Sequence, residues 1–280
     1  MLLGMIEGAA IPSLLYGTAW KEDRTEGLTA LAISSGFRGI DTANQRKHYF
    51  EAAVGQAVQR AIAASQIRRS DIFLQTKFTF QGGQDQRLPY DPQAPIARQV
   101  EQSFQSSLEH FATDYLDSFV LHGPTTRGKL TRDDIEAWRA IEGLQHAGRT
   151  RYVGVSNFTL EQLRELLALA KVPPRFVQNR CYASTGWDRA VRRLCSEHGV
   201  VYQGFSLLTA NRRELEQASV KKLAERHGRS TAELVFRFAV AVGMLPLTGT
   251  STAEHMQKDL NALAFPLEPA EVDLLEKLAG

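Results

Sequence analysis

The chain is 280 residues long, 43% hydrophobic and 23% charged, with a formal net charge of +2. That composition excludes wholesale disorder and collagen-like structure, and so small a charge gives no electrostatic case for nucleic acid or an anionic membrane as partner. No apolar run approaches the ~18 residues of a membrane span, and Met1–Ala10 contains Glu7 and lacks the basic start and length of a secretory signal.

Along the chain, short β-rich apolar runs alternate with longer stretches of helical period, the pattern of a parallel α/β sheet. Leu14–Trp20 reads as a strand and is followed by Leu28, Leu31 and Ala32 at helical spacing. Arg38–Ala43 precedes a helix over Glu51–Ala64, which places Val54, Ala57, Val58, Ala61 and Ile62 on one face. After Ile72–Phe78 comes a long polar loop to Pro92, a substrate wall or an idle surface excursion, then a helix carrying Ile96, Val100, Phe104 and Leu108. Leu116–His122, Tyr152–Asn157, Phe176–Cys181, Val200–Ser206 and Met244–Thr248 complete the strands. Thr159-x-x-Gln162 and Ser251-x-x-Glu254 read as capping boxes. Val200–Ser206 is followed by two helical stretches, Val220–His227 and Thr231–Val242.

Eight strand-like runs, each followed by a helix, favour a closed (β/α)8 TIM barrel over an open doubly wound sheet. The expectation is one domain over residues 1–280, with an N-terminal cap at 1–13 and a C-terminal helix at about 269–278. The fingerprints of a Rossmann dinucleotide fold, a P-loop and a zinc peptidase helix are all missing. Two cysteines, Cys181 and Cys195, are too few for a disulfide framework or a multi-cysteine zinc site, and suit buried thiols in a reducing cytoplasm.

In such a barrel the chemistry sits at the C-terminal ends of the strands. Three consecutive strands end in Asp41, Lys77 and His122. A single charged strand end is usually just solvated, whereas three in a row, partly desolvated, point to a site. Asp41 and Lys77, on adjacent strands, are placed to pair. Tyr49, in the loop before the second helix, is a candidate acid, its phenol made more acidic by the Lys77 ammonium. His48 beside it is the competitor, and His122 is a candidate for holding a substrate carbonyl. Such a set polarises and protonates a carbonyl oxygen but contains no nucleophile–base pair, so a cofactor must supply the other half of the reaction, hydride being the obvious choice.

These residues, with Gly17-Thr18-Ala19-Trp20, Gly39-Ile40-Asp41-Thr42-Ala43, Glu51-Ala52-Ala53-Val54-Gly55, Asp114-Tyr115-Leu116-Asp117, Leu121-His122-Gly123-Pro124, Gly154-Val155-Ser156-Asn157-Phe158 and Val177-Gln178-Asn179, resemble the aldo-keto reductases from about Leu14 to Leu263. The resemblance implies a metal-free barrel enzyme that reduces small aldehydes or ketones with NADPH, NADH being the alternative. It implies a catalytic tetrad of Asp41, Tyr49, Lys77 and His122. Cofactor contacts would fall on Thr18, Asp41, Ser156, Asn157, Gln178, Phe205, Ser206, Leu207, Leu208, Gly249, Thr250, Ser251, His255 and Asp259. Trp20 and Phe78 line up with aromatic pocket walls, ordinary core packing being the alternative for Phe78.

Two departures stand out. Tyr49 lies eight residues after Asp41, farther than the family pattern has it. The segment Leu245–Met256 has no lysine or arginine for a 2′-phosphate, so discrimination against NADH is expected to be weaker. The chain ends soon after the last predicted helix, so a comparatively open site is expected. Two other functions stay open: a lyase forming a Schiff base on Lys77, and a non-catalytic subunit that senses a nicotinamide cofactor. A cytoplasmic monomer, without nucleic-acid or membrane partners, is expected.

Overall fold

A hairpin of Leu2–Ile6 (β1) and Ala9–Pro12 (β2) leads into a closed ring of parallel strands. The computed structural model describes residues 2–6 and 9–279, with side chains from Ile11 onward. The ring comprises Leu15–Gly17 (β3), Gly39–Asp41 (β4), Phe73–Phe78 (β5), Leu116–Leu121 (β6), Thr150–Ser156 (β7), Phe176–Arg180 (β8), Val201–Phe205 (β9) and Met244–Thr248 (β10), and β10 pairs with β3 to close it. All eight predicted strands form, and the fold is the expected single-domain (β/α)8 barrel.

Helices surround the ring: Thr25–Ser35 (α1), Glu51–Ala63 (α2), Ile96–Phe111 (α3), Arg132–His146 (α4), Leu160–Leu169 (α5) and Arg189–Glu197 (α6). Three follow β9, namely Arg212–Leu215 (α7), Ala218–Arg226 (α8) and Thr231–Ala241 (α9), and Ala253–Asn261 (α10) and Pro269–Glu276 (α11) end the chain. The α5 start is the predicted box, with the Thr159 hydroxyl accepting from the Gln162 N–H. At α10 the prediction is one residue early. Thr252, not Ser251, is the cap, and its hydroxyl accepts from the His255 N–H at 3.3 Å.

Period-2 alternation divides the strand side chains between two environments. Outward residues such as Leu74, Phe78, Phe119 and Val153 pack against the helices. Inward, near the strand starts, Leu15, Phe73, Tyr152, Phe176 and Leu245 form a separate apolar layer. Ile11, at the end of the hairpin, joins that layer and plugs the barrel floor. Each such large side chain contributes about 1.5–3 kcal/mol on burial, so the floor is the stable part of the interior. The layer above it is polar: Asp41, Gln75, Lys77, Gln178 and Gln203 are all buried. The loop after β5 packs against its own start and the loop after β4, with the Tyr90 hydroxyl donating to the Thr79 carbonyl at 2.8 Å and Gln84 Nε2 donating to the Asn44 carbonyl at 2.9 Å.

Candidate active site

Asp41 ends β4, and Lys77 is the inward residue next to last in β5. Lys77 Nζ lies 2.7 Å from Asp41 Oδ1 and 2.7 Å from the Thr42 carbonyl oxygen, with its side chain wholly buried. Asp41 Oδ1 accepts two more hydrogen bonds, from Gln75 Nε2 at 2.8 Å and Gln178 Nε2 at 2.9 Å. Burial pushes the Lys77 ammonium down, and the Asp41 carboxylate opposes that. Two acceptors at contact distance are what make a charged amine tolerable there.

Tyr49 closes a tight turn, its N–H donating to the Gln45 carbonyl at 3.0 Å. The ring meets His122 edge-to-face at 5.8 Å between centroids, and Lys77 Nζ sits 5.5 Å from its centre. The long Asp41–Tyr49 spacing therefore still delivers this tyrosine to the other three groups. One expectation fails. The Tyr49 phenol is raised above its ordinary value, first by burial and then by the Asp41 carboxylate. Lys77 is compensated by Asp41 at 2.7 Å, so the ammonium does not dominate the field at the phenol. His122 follows β6, and its Nδ1 is 2.6 Å from Thr79 Oγ1. Burial, assisted by Lys77 and His48, pushes the imidazole down to about 3, so the ring is neutral.

These groups stand at one end of a cavity of about 540 Å³. Its wall continues through Ser156, Asn157, Gln178 and Phe205, along Ser206, Leu207 and Leu208, to Gly249, Thr250, His255 and Asp259. Ser156 Oγ donates to the Gln178 carbonyl at 2.7 Å, and Asn157 Nδ2 donates to the His122 carbonyl at 2.8 Å. Asn157 and Ser206 both hold left-handed backbone, with φ of 60° and 57°. That costs Ser206 about 1 kcal/mol or more, and asparagine is among the residues that tolerate it best; both sit where strands β7 and β9 open onto the cavity. At the far end the Asp259 carboxyl, bonded by Thr248 Oγ1 at 2.6 Å, is raised to about 6 by burial.

The shape and donor set fit a nicotinamide dinucleotide. One end offers amide and hydroxyl groups and the face of Phe205. The other offers the N-terminus of α10, hydroxyls and cations, as phosphates require. The cations lie outside Leu245–Met256, which itself has no lysine or arginine. Lys258 lines the cavity, sharing a helical face with His255 and Asp259, and is paired to Glu254 at 2.6 Å. Lys21 lines it from the loop after β3, with Nζ bonded to the Gly249 carbonyl. The i, i+3 spacing from His255 was the signal for Lys258. Lys21 had none beyond its place next to Trp20.

Four expected contacts do not lie on this wall. Thr18 is fully buried, its hydroxyl donating to the Asp41 carbonyl at 3.1 Å, because Gly17 and Ala19 are the neighbours that face the cavity. Ser251 is exposed just outside it. Phe78 is wholly buried against Phe80 and Tyr90. Consecutive strand residues point to opposite faces, so Lys77 inward sends Phe78 outward. Phe80, not Phe78, lines a smaller cavity beside His122 with Gln45 and Thr79. Trp20 is 65% exposed and stacks on His48 at 4.0 Å, a ring at the mouth and not in the wall.

Comparison with known proteins agrees with this architecture. The chain is 27% identical to the NADPH-dependent alpha-keto amide reductase of Saccharomyces cerevisiae, over 97% of this chain and 88% of that protein. It is 29% identical to an uncharacterised oxidoreductase of Bacillus subtilis, over 95% of this chain and 88% of that one. The crystal structure of an aldo/keto reductase from Brucella melitensis superposes with a TM-score of 0.82 at 27% identity, covering 99% of both chains. The model of the aldo/keto reductase family matches residues 14–279, and the chain belongs to that family.

Proposed function

We propose that this protein reduces small aldehydes and ketones to alcohols with NADPH. The observation that carries the reading is the convergence of Tyr49, His122 and the buried Asp41–Lys77 pair at one end of the cavity. When bound, NADPH supplies the hydride for the carbonyl carbon. His122 holds the carbonyl oxygen through Nε2–H, a role that requires the Thr79 hydroxyl, 2.6 Å from Nδ1, to be the donor of that pair. Tyr49 gives its proton to that oxygen as negative charge develops there. A raised phenol suits this role, since it stays protonated at neutral pH, and an alkoxide is still more basic than a phenolate. Asp41 and Lys77 fix the phenol's surroundings, Ser156, Asn157 and Gln178 orient the nicotinamide carboxamide, and Phe205 supports the ring.

The Schiff-base reading is disfavoured by the same geometry. Lys77 is wholly buried, held by two acceptors and absent from the cavity wall. We further assign the protein as a cytoplasmic monomer. Supporting this, both cysteines are buried free thiols, and the exposed large hydrophobics among the described residues are Trp20, Tyr182 and Leu274. The deciding experiment follows reduced-nicotinamide absorbance over a panel of aldehydes and ketones, with NADPH and NADH in parallel. Carbonyl-dependent consumption of NADPH is expected. A borohydride-trapped adduct on Lys77, with no such consumption, overturns the proposal.

A further inference from the structure

The polar layer above the barrel floor contains two glutamines, Gln75 and Gln203, that touch neither the cavity nor solvent. Gln75 Nε2 donates to Asp41 Oδ1 at 2.8 Å and to Gln203 Oε1 at 2.7 Å. Gln178 Nε2 repeats that arrangement, at 2.9 Å to Asp41 Oδ1 and 2.9 Å to Gln203 Oε1. Gln203 Nε2 returns a bond to Gln75 Oε1 at 3.0 Å. The donors and acceptors leave one consistent solution. An ionised carboxylate only accepts, so Gln75 and Gln178 must both turn their nitrogens to Asp41. Gln203 must then face both nitrogens with its oxygen, and its own nitrogen finds the oxygen of Gln75. The three amides and the carboxylate form a lattice in which no amide can flip without opposing like groups.

We propose that Gln75 and Gln203 are positioning residues, which hold Gln178 with its nitrogen turned into the barrel and its carbonyl oxygen left to accept from the nicotinamide carboxamide, and which draw off part of the Asp41 charge. This rests on the reductase reading above and specifies how its site is held. Gln178 alone could present either end of its amide to the cavity. Tied at two acceptors, it presents one. The same donors bear on Tyr49, which is faced by Asp41 from β4, Lys77 from β5 and His122 beyond β6, while His48 in its own loop acts on His122. Each donor withdrawn from Asp41 leaves more negative charge acting on the phenol.

The test uses Gln75→Met, Gln203→Met and the double variant, methionine being unbranched and of matching length. The double variant removes both ends of the Gln75–Gln203 bonds, so the only amide of the lattice left short of a partner is that of Gln178, which keeps its bond to Asp41. NADPH affinity is read by quenching of protein fluorescence, and the pH profile of alcohol oxidation is read separately. Each variant is expected to weaken NADPH about fivefold, the worth of one neutral hydrogen bond. Gln75→Met is also expected to move the oxidation profile to higher pH, because Tyr49 must ionise against a less neutralised Asp41. Affinities within twofold of the parent and superimposable profiles overturn the proposal. Gln178→Ala separates the two levels. If it also leaves NADPH affinity unchanged, the nicotinamide contact and this inference both fall; if it weakens binding while the methionine variants do not, this inference alone falls.

Discussion

At Tyr49 two influences oppose one another, and their balance sets the pH behaviour. Burial and Asp41 raise the phenol above its ordinary value, while Lys77, 5.5 Å from the ring centre, is largely cancelled by the carboxylate it pairs with. With the pKa raised, the protonated form persists through neutral and mildly alkaline pH. Carbonyl reduction, which needs the phenol, is therefore expected to be flat over that range. Alcohol oxidation needs the phenolate, so its rate is expected to climb with pH without a plateau below the ordinary tyrosine value of ~10. Rate profiles in both directions check this, and an oxidation plateau near neutrality contradicts it. Replacing the acid itself is a harsher test. Tyr49→Phe is expected to lower kcat for reduction by about 10²–10⁴-fold, with NADPH affinity by fluorescence changed less than twofold. His48, stacked on Trp20 at the mouth, is expected not to substitute for it.

The elements act mainly by bringing backbones and side chains to fixed distances. Where α2 crosses α3, a Cβ on Gly55 would lie 1.8 Å from the His110 carbonyl oxygen, so the two helices approach over bare backbone. Neither helix can retreat freely, because Gln59 Nε2 donates to the Phe111 carbonyl at 2.6 Å and Glu51 binds His110 Nδ1 at 2.6 Å. Gly55→Ala is expected to cost about 3 kcal/mol, the upper end for overpacking, read as a lower urea midpoint with an unchanged slope. At α10 the relevant feature is an exposed i, i+4 pair, Glu254–Lys258. Pairs of this kind contribute only about 0.2–1 kcal/mol, so Lys258 can be drawn from Glu254 to a phosphate at little cost. Lys258→Met is expected to weaken NADPH about tenfold while leaving NADH within twofold, as measured by fluorescence titration. Equal losses for both cofactors would place the lysine away from the 2′-phosphate.

At the scale of the whole molecule, closure of the ring brings together side chains that are far apart in sequence. Gln178 and Asp41 are separated by 137 residues and share a 2.9 Å hydrogen bond, and Lys21 reaches Gly249 across 228 residues because β10 lies beside β3. Only the closed order makes the first and last strands neighbours. That is why one cavity can be walled at one end by the ends of β4 and β6 and at the other by α10.

Much of this architecture was readable from the chain itself. The eight strands stand out because each is a short apolar run, and Asp41, Lys77 and His122 are conspicuous because a charged or titratable group closing such a run must be paired or used. Gln75 and Gln203 were passed over for the opposite reason. A glutamine within a strand reads as a surface residue, and only the ring shows that these two point inward to a carboxylate. Of the two readings the sequence leaves for Phe78, pocket wall or core packing, the structure shows the core, because alternation fixes it outward once Lys77 is inward. Local order therefore determined the identity, sequence and spacing of the elements, since hydrophobic period and capping act over a few residues. Which groups meet, which nitrogen faces which oxygen, and whether the ammonium or the carboxylate governs the phenol were decided only by tertiary structure, because hydrogen bonds and fields depend on distances of a few ångströms that no sequence spacing specifies.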